Sequence, residues 1–172
     1  MGKIYNAKDL INVVWATGLN CYSFAAKCAN PAGAGSVACV PGAKVGAAVQ
    51  AATISPANLY RACVADGFED VSGGVMSSAY KMQNPPAPKA GTYLVAVFYD
   101  PLHSFHFARQ LADGSAKKLE WVHKPSAQIA PSNTQGNFSL GTDISNVPWA
   151  RFQFVAYLRT PNAGVAVNRA NF

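Results

Sequence analysis

Charged side chains are scarce in this sequence of 172 residues: they make up only 13%, about half the usual share. Uncharged polar residues and Gly must therefore supply much of the surface. Hydrophobic residues account for 50%, which excludes an intrinsically disordered chain. The length is typical of one domain with a hydrophobic core of its own, so we predict a single domain over residues 1–172.

Long hydrophobic runs are also missing. No apolar run approaches the roughly 18 residues that cross a bilayer, so no membrane span is expected. The start, Met1–Tyr5, lacks the apolar core of a signal peptide, and Asn6 does not fit a myristoylation motif. The sequence therefore predicts a protein made in the cytosol, whose export would need a route without a cleavable signal.

Acidic residues are few: 8 stand against 14 Lys and Arg, giving a net charge of +6. This excess favours an anionic partner such as a bacterial cell wall, a nucleic acid or a membrane surface. The basic residues are scattered, however, and their densest group is only Lys117, Lys118 and Lys124. We therefore expect no nucleic-acid partner.

The four cysteines, at positions 21, 28, 39 and 63, lack the CxxC spacing of zinc sites. No metal or other cofactor is expected. Cys28 and Cys39 either close a disulfide loop in an oxidising compartment or stay buried thiols. The Gly33–Gly35 stretch lacks the strand, helix and Lys of a phosphate loop.

Helix signals are concentrated in the first half of the chain. The apolar spacing predicts a helix over 7–16, and a second over about 21–29 that begins after Asn20. Ser55–Pro56 indicates a third helix start, with Ser as N-cap and Pro at the first position, and Gly67 ends it. The inward residues of this helix are predicted to be Leu59, Cys63 and Val64. Residues 30–54 read as a loop with a turn at Pro41–Gly42.

Strand signals dominate the second half. Residues 92–99 are apolar on both faces, which predicts a central strand. Further strands are predicted at 103–110, 119–123 and 151–159, with a turn at Asp113–Gly114 and a long loop over 124–150. Helices followed by antiparallel strands indicate an α+β fold.

Two residues in this arrangement indicate nucleophilic chemistry. Cys21 is predicted in the first turn of a helix, whose positive end is one device that lowers the pKa of a thiol. His106 lies mid-strand, with Phe105 and Phe107 on one face and its own side chain on the other, where the helix could pack. His123 ends the next predicted strand and could orient His106.

The segment Asn20-Cys21-Tyr22-Ser23-Phe24-Ala25 resembles the nucleophile segment of the papain-like superfamily, especially NlpC-like cell-wall peptidases and CHAP-type amidases. The segments around His106-Phe107-Ala108-Arg109-Gln110 and Trp121-Val122-His123-Lys124-Pro125 are similar to parts of bacterial and phage proteins, including polymorphic toxins. The resemblance implies a papain-like fold, with the nucleophile helix packed on an antiparallel sheet. It assigns Cys21 as nucleophile, His106 as general base and acid, and His123 as the orienting group.

Alternatives remain for several roles. His103 should face the opposite side of a regular strand from His106, unless a bulge at Ser104 changes this. Asp143 or Asn146 could orient His106 in place of His123. The oxyanion hole is expected to use the backbone N–H of Cys21 plus a side chain. The candidates for that side chain are Tyr5, Asn20 and Gln110.

Substrate contacts are harder to predict. Tyr22 and Trp121 either line a cleft or pack in the core. Arg109 either grips a substrate carboxylate bidentately or lies at the surface.

The resemblance and the basic charge together predict hydrolysis of an amide bond in the peptide stem of peptidoglycan, through a thioester. A small basic hydrolase without a signal fits an antibacterial effector delivered to a target cell's periplasm, for example by type VI secretion, or a phage lytic enzyme. An immunity or inhibitor protein is then an expected partner. The alternatives are a protease, deamidase or acyltransferase toxin acting on host proteins, or a noncatalytic binding module.

Overall fold

The computed structural model describes residues 20–26, 40–42, 45–75, 82–87, 89–102, 104–110, 120–123, 139–146, 150–162 and 164–165. The predicted helix over 7–16, the pair Cys28 and Cys39, and the Asp113–Gly114 turn lie outside these residues.

The described residues form two α-helices, α1 (Cys21–Ala26) and α2 (Pro56–Asp66), and two short 3-10 helices, Ala51–Thr53 and Ile144–Asn146. The strands are β1 (Glu69–Asp70), β2 (Thr92–Asp100), β3 (Ser104–Gln110), β4 (Trp121–His123), β5 (Ser139–Gly141) and β6 (Gln153–Pro161). None of the helices in the described part of the chain is long and apolar enough to cross a membrane.

Six antiparallel strands form one sheet in the order β1-β6-β2-β3-β4-β5. The α+β class is thus confirmed. The apolar strand β2 lies between β6 and β3, and six consecutive residues from Tyr93 to Phe98 are buried. Its central position was predictable because a strand buried on both faces carries apolar residues at every position.

Helix α2 follows its local signals. Ser55 is the N-cap, and its side chain accepts the N–H of Asn58; Gly67 ends the helix in a left-handed conformation at φ 106°. Leu59 and Cys63 are fully buried, as predicted, but Val64 is 37% exposed, so its predicted inward orientation is wrong. The buried positions of α2 are Leu59, Ala62, Cys63 and Asp66.

The long loop predicted over 124–150 is also incorrect in part, because it contains β5 and a 3-10 helix at Ile144–Asn146. Only three residues form β5, and an alternation of apolar and polar residues cannot be recognised over so short a segment. Leu140 and Ile144 are both buried and secure this segment against the sheet.

The sheet has two differently covered faces. On the helix face, Phe107 and Val97 pack with α1 and α2 in one cluster around Tyr22 and Cys63. The opposite face carries a second cluster. Its members include Leu94, Ala96, Phe98, Ala108, Trp121, Leu140, Phe154 and Tyr157. Both faces are covered, and the five residues of β3 from His106 to Gln110 are buried on one side or the other.

Candidate functional site

Cys21 is the first residue of α1, where the sequence predicts it. Asn20 caps this end: its Oδ1 accepts the N–H of Ser23 at 2.8 Å, and its carbonyl accepts the N–H of Phe24 at 3.0 Å. Cys21 is 7% exposed, and its Sγ lies 4.0 Å from the carbonyl oxygen of Phe105. The thiol therefore lies beside the peptide that joins Phe105 to His106 in β3.

His106 and His123 lie in contact on neighbouring strands. Their atoms Nε2 and Nδ1 are 3.2 Å apart, and the two rings meet edge to face at 68°. The pairing Ala108↔His123 places His123 two residues along from His106 on the same side of the sheet. The expectation that His123 could reach His106 is confirmed.

Burial controls the protonation of His106. The side chain is 5% exposed and also touches the ring of Phe152. Burial, and then the charge of His123, lowers the pKa of His106 to about 3. A neutral imidazole can either donate or accept at each nitrogen, so the pair shares a single hydrogen bond whose direction depends on the tautomers.

The helix does not pack on the side of His106. Tyr22 of α1 contacts Phe107 with ring centroids 5.1 Å apart, and the Arg109 guanidinium lies 4.4 Å from the Phe24 ring centroid. These partners in β3 point to the helix face. His106 alternates with them and pairs across the sheet with Phe98, which belongs to the opposite cluster. The expectation that α1 covers the face of His106 is wrong.

Cys21 and His106 are therefore close along β3 but separated by the sheet. The thiol packs with the helix-face cluster, and the imidazole packs with residues of the opposite face. The alternation of side chains in β3 separates them, and Phe107 and Arg109, not His106, make the contacts with α1. The structure thus brings His106 to His123 and not to Cys21.

The two aromatic cleft candidates are core residues. Tyr22 is fully buried, and its hydroxyl donates to the carboxylate of Asp66. Trp121 is 1% exposed and lies against the ring of Tyr157, with centroids 5.7 Å apart. Neither side chain lines an open cleft, which leaves core packing, the other alternative stated for both.

Arg109 is 3% exposed, so the expected surface position is wrong, and its role in gripping a substrate carboxylate stays a prediction. Its guanidinium lies between the rings of Phe24 and Tyr93, at 4.4 and 5.6 Å from their centroids. Burial lowers the pKa of Arg109, and a hydrogen bond to Tyr93 opposes this effect. Its Nε is buried without a hydrogen-bond partner. Arg109 is a cation stabilised by aromatic rings inside the fold.

The remaining candidates have mixed outcomes. Gln110 is 6% exposed and lies on the face opposite to α1, across from Trp121. Asp143 is exposed, and its Oδ1 accepts the N–H of Ser145 at 2.8 Å and the hydroxyl of the same residue at 2.7 Å. These hydrogen bonds lower the pKa of Asp143. Tyr5, His103 and the side chain of Asn146 lie outside what the structure describes.

Comparison with known proteins adds no relative. No family model, no curated protein and no solved structure matches this chain. Within the described residues, no cluster of three or more His, Cys, Asp or Glu side chains could hold a metal ion.

Asp66 is a site residue that the sequence reasoning missed. It is fully buried, and it accepts hydrogen bonds from the Tyr22 hydroxyl and from the N–H of Gly42. The signal was present in the sequence: with Leu59, Ala62 and Cys63, it completes the i, i+3, i+4, i+7 stripe of α2. An acid at an inward position of such a stripe indicates a buried polar contact.

Proposed function

We propose that this protein is a cysteine hydrolase that cleaves an amide bond through a thioester, with Cys21 as the nucleophile. The observation that supports this best is the 3.2 Å contact between His106 and His123 on neighbouring strands, in a chain whose Cys21 is the first residue of a helix. An imidazole held by a second polar group is the base arrangement that thiol enzymes use. The resemblance of the Asn20–Ala25 segment to papain-like nucleophile segments points to the same chemistry.

In the proposed reaction, the Cys21 thiol first gives its proton to His106. The resulting thiolate attacks the amide carbonyl carbon, and the carbonyl electrons move to the oxygen. The backbone N–H of Cys21 donates to that oxyanion. When the tetrahedral intermediate collapses, the C–N bond breaks and the general acid His106 gives its proton to the leaving amine. His106 then takes a proton from water, which attacks the thioester and releases the acid and the free thiol. His123 holds the imidazole through the contact at Nε2.

The sheet that separates Cys21 from His106 makes the base the critical part of this proposal. His106 must reach the helix face during catalysis, or another histidine must serve there. The chain has three histidines, and His103, the remaining one, directly precedes β3. Replacement of His103 is therefore part of the test of this proposal.

For the substrate we propose the peptide stem of peptidoglycan. Cell-wall peptidases and amidases are the proteins that the Cys21 segment resembles, and a net charge of +6 suits an anionic wall. The proposal includes delivery to the periplasm of a target cell or release by a phage, with an immunity or inhibitor protein as partner. It also includes a papain-like arrangement of the α+β fold.

The test is digestion of purified peptidoglycan, with the products resolved by mass spectrometry. Wild type is compared with Cys21→Ala, His106→Ala and His103→Ala, and each variant's fold is checked by circular dichroism. New muropeptide fragments from wild type and none from Cys21→Ala are expected, and the fragment masses name the bond that is cut. Loss in His106→Ala assigns the base to the pair with His123, whereas loss only in His103→Ala moves it to His103.

A second candidate is a noncatalytic binding module, and the separation of Cys21 from His106 by the sheet favours it. In that case, Cys21, His106 and His123 are buried polar residues of the core. No fragments from any variant, together with ordinary Cys21 reactivity, would establish this alternative. No fragments despite a hyper-reactive Cys21 would instead indicate a protease, deamidase or acyltransferase that acts on proteins.

A further inference from the structure

One buried carboxylate oxygen joins three separate segments of the chain. Asp66 lies at the end of α2 and is fully buried. Its Oδ2 accepts the N–H of Gly42 at 2.7 Å and the hydroxyl of Tyr22, the residue that follows Cys21. A hydrogen bond to a charged acceptor is roughly twice as strong as one between neutral groups. The connection therefore ties α1 firmly to α2 and to the Pro41–Gly42 turn.

The ring of Tyr22 transmits this connection to the start of α1. It is fully buried between Phe68 and Phe107, with ring centroids 5.9 and 5.1 Å away. The aromatic contacts fix the orientation of the ring, and the hydrogen bond to Asp66 fixes the position of its hydroxyl end. Since Tyr22 and Cys21 are adjacent in the first turn of the helix, the position of one sets the position of the other.

The far end of α1 has an anchor of a different kind. The Tyr93 hydroxyl donates to the carbonyl of Ala25 at 2.7 Å, and Tyr93 itself is in β2. The sheet therefore holds the end of the helix, while Asp66 holds its beginning. The six described residues of α1 are too few to be stable alone, so these anchors decide where the helix lies.

We propose that Asp66 is a positioning residue for Cys21: through Tyr22 it fixes the first turn of α1 and with it the place of the thiol. This rests on the proposed function in one respect, that the placed thiol is a nucleophile. Asp66 itself touches neither substrate nor the reacting atoms. Replacing Asp66 therefore changes the position of the Cys21 thiol without removing the thiol.

Three variants test this. Tyr22→Phe removes the hydroxyl and keeps the ring, and Asp66→Asn keeps the shape and removes the charge. Tyr157→Phe is the matched control, because Tyr157 is 1% exposed, donates its hydroxyl to the Met82 carbonyl and lies in the cluster on the other face. Each variant is alkylated with iodoacetamide across a pH series well below its melting temperature, and mass spectrometry follows Cys21 alone.

The expected result is a changed pH profile at Cys21. In Tyr22→Phe and Asp66→Asn, the alkylation midpoint moves towards the ordinary thiol value of about 8.5, whereas Tyr157→Phe keeps the wild-type midpoint. Amide hydrogen exchange of Ser23–Ala26 rises about tenfold in the first two variants and stays unchanged in the control. A double variant, Tyr22→Phe with Asp66→Asn, changes the Cys21 midpoint little beyond Tyr22→Phe, because loss of the hydroxyl already removes the bond that the loss of charge weakens.

Two outcomes overturn the proposal: midpoints and exchange rates that match those of Tyr157→Phe, or effects that follow only the melting temperature. If Asp66→Asn does not fold, Tyr22→Phe decides alone. A wild-type midpoint already at the ordinary thiol value, with no muropeptide released, defeats the proposed function instead. In that case, the amide hydrogen exchange rates of Ser23–Ala26 still show whether Asp66 positions the helix.

Discussion

His106 Nε2 and His123 Nδ1 lie 3.2 Å apart, on the sheet face that α1 does not cover. One of these nitrogens must carry a hydrogen and the other a lone pair. The contact therefore couples the tautomers of the two rings and holds them in one relative orientation. It is an arrangement suited to proton transfer on the side of β3 away from the thiol.

The two described cysteines should differ in reactivity towards iodoacetamide. Cys63 is fully buried, and burial together with the charge of Asp66 raises its pKa well above the ordinary thiol value. We expect Cys21 to label rapidly near neutral pH and Cys63 to stay unlabelled until the protein unfolds. Peptide mapping by mass spectrometry measures both. Slow labelling at equal rates would argue against an enzyme.

The free energy of unfolding should fall as pH is lowered from about 6.5 towards 3. Unfolded histidine takes up a proton near pH 6.5, whereas folded His106, with its pKa at about 3, stays neutral. The unfolded state therefore binds more protons in this window, and the stability that His106 contributes above it is lost on acidification. Each pKa unit corresponds to about 1.4 kcal/mol.

This contribution is measured as a difference between two proteins. Urea unfolding gives the free energy of unfolding of wild type and of His106→Gln at pH 7 and pH 4.5. Between these pH values, the difference between the two proteins should change by up to about 3 kcal/mol, because wild type loses more stability on acidification than the variant does. Tyr157→Phe serves as control, since no group it removes titrates in this range. A gap for His106→Gln that is constant with pH contradicts the buried, neutral imidazole.

Gly42→Ala should destabilise the protein by roughly 3 kcal/mol or more. Gly42 has φ +85°, and a Cβ there would lie 2.1 Å from the carbonyl oxygen of Ala47, so the backbone must move. That movement also breaks the bond from the Gly42 N–H to Asp66. Gly46→Ala is the matched control: φ is +71°, but nothing lies within 4 Å of the added Cβ.

For the control, we expect only the strain of a left-handed residue, about 1 kcal/mol. Thermal unfolding compares the two alanine variants directly. Equal losses would mean that the close approach of Gly42 to Ala47 does not constrain the turn.

Arg109→Lys should be less stable than Arg109→Met. The guanidinium lies between aromatic rings and spreads its charge, whereas a compact ammonium is more strongly hydrated and costs more to bury. Met keeps much of the volume and removes the buried charge, and the Tyr93 hydroxyl still has the Ala25 carbonyl as partner. Melting temperatures of both variants test the order. A Lys variant at or above the Met variant would show that the positive charge itself is stabilising.

The sequence predicted those features well that depend only on residues close together in the chain. Ser55, Pro56 and Gly67 define both ends of α2 because capping depends on adjacent backbone groups. The alternation of Phe105, His106 and Phe107 correctly divides β3 between two faces. Such patterns need no knowledge of the rest of the fold.

Choices that depend on distant packing could not be predicted in the same way. Both faces of the sheet are apolar, so alternation alone does not say which of them α1 covers. The burial of Arg109 depends on Phe24 and Tyr93, which are far from it in the sequence. The contact of His106 with His123 was predictable because it joins two strands that follow one another in the chain and pair antiparallel, whereas the bond of Asp66 to Tyr22 joins two helices.

The strand order has a consequence for how the protein is made. β6 is last among the described strands in the chain, yet it lies between β1 and β2 and buries five consecutive residues, from Phe154 to Leu158. While a ribosome is still synthesising residues 153–161, β2 has an open edge on the side that β6 will fill. The nascent chain must therefore keep this apolar edge from pairing with other chains, and the core closes only after synthesis has passed Pro161.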